Sequence, residues 1–337
     1  MIEGRRVSQR TAERRGLAGA LAALSVMAAA LGGLTPARAG MGPAAEASAM
    51  PSAGHRITLS QGKDRPAVSL YYEEHGSGPP LLLLHGLGES VFTWTDVLPA
   101  LAARHRVIAL DLKGFGRSDK PDDGAYAAED QAALVARFLI ERDMEGVTVI
   151  GHSFGGTVAL RTALADGIRG TRRIGRIAVI GAPALPRAAA RRFELVRLPL
   201  VPDALASVLP ADAMARLLLR EAMGGKAEVS DALVEGYAAP YREAGAMQAF
   251  LATARTIVAE DGQRDIAKRY RKLDAPVLVV WCRNDPIVPL RAGRRLVAAL
   301  PRAKLSLMQG CHHLPQHEKP AELAKLIGTF AATGRFP

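Results

Sequence analysis

Cysteine is nearly absent from the 337-residue chain: Cys282 and Cys311 are its whole complement. Two thiols cannot furnish a cysteine-rich structural zinc site or a dense disulfide framework, and at most one bridge can form. Aromatics are also scarce, at 5%, while 49% of residues are hydrophobic and 23% charged. That balance is too apolar for a disordered chain and too charged for a polytopic membrane protein. Charge of one sign is in excess but not concentrated. Residues 1–39 hold six arginines against two glutamates, so +4 of the formal +11 lies there and +7 elsewhere. The remaining basic residues are dispersed and accompany no recognition motif, so nucleic acid is not an expected partner. The length suits either two domains of roughly 100–200 residues or one α/β domain carrying an insertion.

What is present begins with an address. Arg5, Arg6, Arg10, Arg14 and Arg15 precede an uncharged stretch from Gly16 to Ala37, which ends in Ala37-Arg38-Ala39 before Gly40. Basic end, apolar middle and small-residue cleavage site are the order of a secretory signal, so residues 1–39 are expected to direct export to a bacterial periplasm or medium. An uncleaved anchor is one alternative, and would be the chain's one membrane contact. A mitochondrial presequence is another. Arg14-Arg15-Gly16-Leu17 is similar to a twin-arginine signal, but Ala18 and Gly19 depart from it, so the route stays open. Residues 40–54, rich in Ala, Ser, Gly and Pro, read as a linker.

From His55 onward strands and helices alternate. Ile57–Leu59 and Val68–Glu73 suggest a hairpin. Apolar runs follow at Leu81–Leu84, Val107–Leu110, Val147–Ile150, Ile177–Ile180, Val277–Trp281 and Leu305–Met308. Runs without polar alternation suit strands covered on both faces. Between them lie helical patterns, clearest over Ala127–Arg142. Repetition of this kind predicts an α/β fold with a mostly parallel, doubly wound sheet. Residues 183–272 break the rhythm. They show helical periodicity interrupted by prolines, and read as a helical cap inserted between two strands of a core made of residues 55–182 and 273–337.

The chemistry falls at strand ends. Gly151-His152-Ser153-Phe154-Gly155 follows one apolar run and opens a helix. A sharp strand-to-helix turn tolerates its central residue only where flanking side chains are missing, hence Gly151 and Gly155. Ser153 is the candidate nucleophile, with the Phe154 amide at a helix start as one oxyanion donor. A serine needs a base, and the base a third group to orient it. Asp285 and His313 follow later strands in the required chain order, although Asp285 also suits a turn before Pro286 and His312 and His317 rival His313. His85-Gly86-Leu87-Gly88 follows Leu84; there the Leu87 amide is the second candidate oxyanion donor. His85 and Gly86 are read as supports of the loop.

Together these motifs resemble the α/β-hydrolase superfamily, specifically its cap-bearing serine esterase-like members, from about Val68 to the end of the chain. The resemblance rests on Leu84-His85-Gly86, on Asp111 through Pro121, on Gly151 through Gly156, and on His313-Leu314-Pro315-Gln316-His317-Glu318-Lys319-Pro320. The last stretch is similar to the family's His-x-Pro-x-x-Glu-x-Pro ending, and that register selects His313. Asp111 and Ser118 are then loop-shaping residues. Serine at the elbow implies an ester hydrolase working through an acyl-serine, with no cofactor and no metal, on a small molecule with an apolar portion. Cofactor-free haloperoxidases and carbon–carbon bond hydrolases share the triad and are the alternatives. The latter usually carry Asn and Trp where this chain has His152 and Leu314. A binding protein on the same fold is a more distant alternative. Apolar residues from Phe193 to Leu209 suit packing of the cap or an acyl pocket, and Arg187, Arg191, Arg192 and Arg197 a solvated face. In such a fold the strands that precede Cys282 and Cys311 are neighbours. A bridge is possible there, although two buried reduced thiols are the commoner fate.

Overall fold

The computed structural model describes residues 53–171, 173–186, 188, 210–225, 228–260 and 265–337. The expected export segment, all but two residues of the linker, Arg187 and the stretch 189–209 lie outside them.

Eight strands form one sheet: β1 (Ala53–Leu59), β2 (Val68–His75), β3 (Pro80–Leu84), β4 (Arg106–Leu110), β5 (Val147–His152), β6 (Ile174–Ile180), β7 (Val277–Cys282) and β8 (Ala303–Met308). Their spatial order is β1-β2-β4-β3-β5-β6-β7-β8. The β1–β2 and β2–β4 pairs are antiparallel and every later pair is parallel. The expected hairpin and all six later runs are therefore strands. Strand β1 starts at Ala53, two residues inside the stretch expected to be linker, where Ala53 and Gly54 face Glu74 and Glu73.

Consecutive leucines in β3 explain how an unalternating run works in a sheet. Leu82 and Leu84 enter the apolar layer on one face, while Leu81 and Leu83 enter the layer on the other. All four are at most 1% exposed. Burial of this kind stabilises by about 1.5–3 kcal/mol per side chain, and the period-2 pleat divides it between both layers.

Helices α1 (Leu98–Ala102), α2 (Ala128–Glu141) and α3 (Phe154–Arg169) connect the early strands. Helix α2 matches the periodicity of its sequence. Glu129 and Asp130 sit in its first turn, and the Asp130 carboxylate accepts the Ala127 amide at 3.1 Å. Between β6 and β7 every regular element among the described residues is helical: α4 (Ala211–Ala222), α5 (Asp231–Ala238), a 3-10 turn (Ala239–Arg242), α6 (Ala246–Glu260) and α7 (Ile266–Tyr270). Pro210 stands immediately before α4, and Pro240 lies in the 3-10 turn, places where a missing amide hydrogen costs little. Ala215, Leu219, Val234 and Tyr237 form a small core of their own, which meets the sheet domain through Leu314. Helices α8 (Leu290–Ala299), α9 (Pro315–Glu318) and α10 (Pro320–Thr333) complete the chain.

The strand order reverses around β3: the chain crosses to β4 on one side and then returns to β5 on the other. Such a switch point opens a crevice at the carboxyl ends of the parallel strands. The loops after β3 and β5 meet there.

Candidate active site

Strand β5 ends at His152 and α3 begins at Phe154, leaving Ser153 as the whole turn. Its backbone sits at φ 48°, ψ −119°. A non-glycine residue there costs about 1–3 kcal/mol and persists only when its surroundings hold it. Two hydrogen bonds do so: the Ser153 amide donates to the Ile180 carbonyl at 2.8 Å, and the Gly156 amide donates to the Ser153 carbonyl at 3.0 Å. The flanking glycines answer a direct steric demand. A Cβ on Gly151 would strike the Gly155 carbonyl, and one on Gly155 would strike the carbonyls of Leu84 and His85.

Three residues from three loops converge. His313 Nδ1 lies 2.8 Å from Asp285 Oδ2, and His313 Nε2 lies 3.1 Å from Ser153 Oγ. A carboxylate can only accept, so Nδ1 carries the proton and Nε2 is left free to accept from the serine hydroxyl. The other Asp285 oxygen accepts the amides of Ile287 and Val288 at 2.9 and 2.8 Å. Asp285 is thus both the turn former and the histidine's partner, and the two readings of it do not compete. The rival histidines face elsewhere. His312 Nδ1 pairs with Glu318 at 2.7 Å, and His317 Nδ1 with Asp96 at 2.8 Å.

Phe154 is the first residue of α3, where no carbonyl a turn earlier in the helix can take its amide hydrogen. Leu87 borders the same cavity as Ser153 and His313. Behind them His85 is fully buried, donating from Nδ1 to the Gly86 carbonyl at 2.8 Å and accepting the Leu112 amide at Nε2 at 3.0 Å. Burial lowers its pKa to about 4, so it stays neutral and locks the loop after β3 onto the loop after β4. The latter is shaped as the resemblance implies: the Asp111 carboxylate accepts the Val91 and Arg117 amides, and Ser118 Oγ donates to the Asp111 carbonyl.

Three groups at the site escape sequence reasoning. Glu89 and His152 are buried against each other, with His152 Nδ1 3.0 Å from Glu89 Oε1. Tyr241, from the 3-10 turn, lines the cavity with a buried hydroxyl that has no hydrogen-bond partner among the described residues. Glu89 stands four residues after His85 and His152 directly before the serine, so position beside the motifs is the signal that could have found both. Nothing in the sequence marks Tyr241.

The cavity has a volume of about 110 Å³. Leu87, Ala215, Leu219, Phe250, Ile287 and Leu314 give it apolar walls. Among its described lining residues the one fixed charge is the Glu89 carboxylate. Cys282 and Cys311 are joined in a disulfide, with Cα atoms 5.4 Å apart, rather than held as the commoner pair of reduced thiols. The bridge ties the end of β7, three residues before Asp285, to the turn two residues before His313. Among the described residues no group of three or more His, Cys, Asp and Glu is placed to hold a metal ion. No described helix is long and apolar enough to cross a membrane.

Fold and site together define an α/β hydrolase. A family model for the alpha/beta hydrolase fold matches residues 79–320, and the chain belongs to that family. It is similar to an uncharacterized protein of Mycobacterium tuberculosis, 32% identical over 266 residues that cover 77% of this chain and 76% of the relative. It is also similar to a 2-hydroxymuconate semialdehyde hydrolase of a Pseudomonas species, 32% identical over 267 residues, covering 77% and 89%. Among solved structures, a bacterial membrane phospholipase A superposes with a TM-score of 0.67 at 25% identity, covering 83% of this chain and 86% of that one.

Proposed function

We propose that this hydrolase cleaves carboxylic esters through an acyl-serine intermediate. The observation that carries the reading is the line of contacts from Asp285 through His313 to a strained, cavity-facing Ser153. Ser153 Oγ attacks the ester carbonyl carbon while His313 Nε2 takes its proton. The carbonyl oxygen becomes an oxyanion, received by the Leu87 and Phe154 amides. Collapse breaks the bond to the alcohol, which leaves with the proton from His313. A water then gives its proton to His313 and attacks the acyl carbon, releasing the acid and restoring Ser153.

The cavity supports an uncharged, apolar acyl portion. A substrate bearing its own carboxylate needs a cation to receive it, and the described lining offers a carboxylate instead. The similarity to a 2-hydroxymuconate semialdehyde hydrolase favours a second reading, carbon–carbon bond hydrolysis on the same three residues. A fluorophosphonate probe on Ser153, then p-nitrophenyl esters of increasing chain length beside a dienoate ring-cleavage product, separates them. Short-chain esters are expected to turn over. Labelling of Ser153 with turnover of the dienoate alone would overturn the ester reading.

The reading extends to export with loss of residues 1–39. The basic-then-apolar order of that segment supports it, as does a disulfide, which persists in oxidising compartments. Mature protein beginning at Gly40 is the expected result of N-terminal sequencing; an intact Met1 in the exported fraction would oppose it.

A further inference from the structure

His152 makes two contacts that one neutral imidazole cannot serve beside an ionised Glu89. Its Nδ1 lies 3.0 and 3.1 Å from the two Glu89 carboxylate oxygens, and its Nε2 lies 2.8 Å from the His313 carbonyl oxygen. Both partners are acceptors, whereas a neutral ring carries a single N–H. The ring is 0% exposed and Glu89 8%, so each is the other's principal charged neighbour. Glu89 does more than balance charge. Its Oε2 accepts the Gly86 amide at 2.9 Å, and Gly86 lies so close that a Cβ there would be 2.8 Å from Oε1.

We infer that Glu89 and His152 form a buried carboxylate–imidazolium pair that positions the reacting groups, joining the oxyanion loop at Gly86 to the backbone of His313. The inference rests on the ester-hydrolase reading for its kinetic consequences, but not for its structural content. The chain of contacts runs from the Gly86 amide to the Glu89 carboxylate, to the His152 ring and to the His313 carbonyl. It passes beneath the nucleophile, because His152 is the residue bonded to Ser153. Glu89 and His152 are positioning residues: neither exchanges a proton with substrate during acylation or deacylation.

Electrostatics agrees with the geometry. Burial by itself would push the Glu89 carboxyl up, but the His152 charge, the hydrogen bond to it and the Gly86 amide outweigh this and hold it at about 2. Burial would lower His152, yet the charge and hydrogen bond of Glu89, the His313 carbonyl and the Asp285 charge raise it instead. The titratable groups around the ring are Glu89 and His85 from the loop after β3, Asp285 from the loop after β7 and His313 from the loop after β8. His313 must lose and regain a proton in every cycle. His152, with its ring centroid 4.9 Å from that of His313, is set to keep its own. The positive end of the pair therefore faces the base.

The conservative replacement is Glu89→Gln. A glutamine can still accept the Gly86 amide and can donate to an unprotonated His152 Nδ1, so the contacts survive while the charge is lost. In the full chain with ¹⁵N-labelled histidine, NMR at pH 7 is expected to show the His152 ring, assigned by its loss in His152→Gln, as an imidazolium with both nitrogens protonated. It should become a singly protonated ring in Glu89→Gln. On a p-nitrophenyl ester, Glu89→Gln is expected to lower kcat by about 3- to 10-fold, the scale of charge-assisted hydrogen bonds replaced by neutral ones, with KM within about twofold. A singly protonated His152 ring in the wild type would overturn the proposal. So would a Glu89→Gln enzyme with unchanged kcat. Absence of fluorophosphonate labelling in the wild type would instead strike the ester-hydrolase reading and leave the NMR result standing.

Discussion

Two carboxylate–histidine–hydroxyl relays lie on either side of Leu314. One runs from Asp285 through His313 to Ser153, with contacts of 2.8 and 3.1 Å. The other runs from Asp96 through His317 to Tyr237, with contacts of 2.8 and 3.0 Å. Connectivity and distances are nearly the same, yet the surroundings differ at every station. The Asp285 side chain is 1% exposed and that of Asp96 50%. Solvent reaches the second carboxylate, and a half-exposed polar pair of this kind is worth about 0–1 kcal/mol. Ser153 stands on a strained turn beside the start of a helix, whereas Tyr237 Oη is also held by Thr93 Oγ1 at 2.7 Å. On the proposed reading, a triad-like pattern becomes a nucleophile only where the carboxylate is dry, the hydroxyl is free of a competing partner, and amides wait for the oxyanion. The second relay fastens α5 to the sheet domain.

The strongest way to break the comparison is to remove each hydroxyl. Ser153→Ala is expected to lower kcat on a p-nitrophenyl ester by a factor on the order of 10³ to 10⁶. Tyr237→Phe should leave it within about fivefold, losing two buried hydrogen bonds worth about 1 kcal/mol each. Equal losses in both would erase the distinction between the two relays.

The carboxylates come next. Asp285→Asn keeps the shape but favours the wrong tautomer of His313, and a loss of about 10⁴ in kcat is expected. Asp96→Asn should change kcat by no more than about threefold, since water already dilutes that charge. His313→Ala should likewise be inactive while His312→Ala and His317→Ala turn over; the reverse result for His312 would show that the register had been misassigned.

Tyr241 sharpens the contrast, because it is a wall hydroxyl with no partner among the described residues. Burial raises its pKa, so it is a neutral donor available to a substrate oxygen. Tyr241→Phe is expected to lower kcat/KM by about tenfold while stabilising the free protein by about 1 kcal/mol, since an unsatisfied buried hydroxyl is a cost. Urea unfolding of the same preparation reads the second effect; destabilisation would mean that the hydroxyl has a partner in the free protein.

The bridge is expected to matter more for stability than for catalysis. Replacing Cys282 and Cys311 together by Ala should reduce stability by about 2–4 kcal/mol in urea unfolding, through the freed loop in the denatured chain. The His313–Asp285 contact has its own buried partners, so kcat should fall less than about fivefold, within the effect of a single lost buried contact. Unchanged stability would show that the thiols are not joined.

Local covalent chemistry makes much of this molecule legible in its sequence. Unalternating apolar runs mark strands covered on both faces, and every one of them is a strand. Gly151 and Gly155 mark the elbow because the steric demand of a strand-to-helix turn falls on residues adjacent in the chain. The order Ser153, Asp285, His313 follows from strand ends, although choosing His313 over His312 requires the resemblance of the chain's last motif to a family ending. Other features depend on which distant segments dock together. Glu89 meets His152 across 63 residues, Asp96 meets His317 across 221, and Tyr241 reaches the cavity from an inserted helical segment. Whether the two cysteines join depends on side-chain direction at neighbouring strand ends, which spacing along the chain leaves open. Periodicity and steric exclusion act within a few residues and are written in composition and spacing. The state of a buried charge or an unpaired hydroxyl depends on everything that surrounds it, and only the folded arrangement supplies those neighbours.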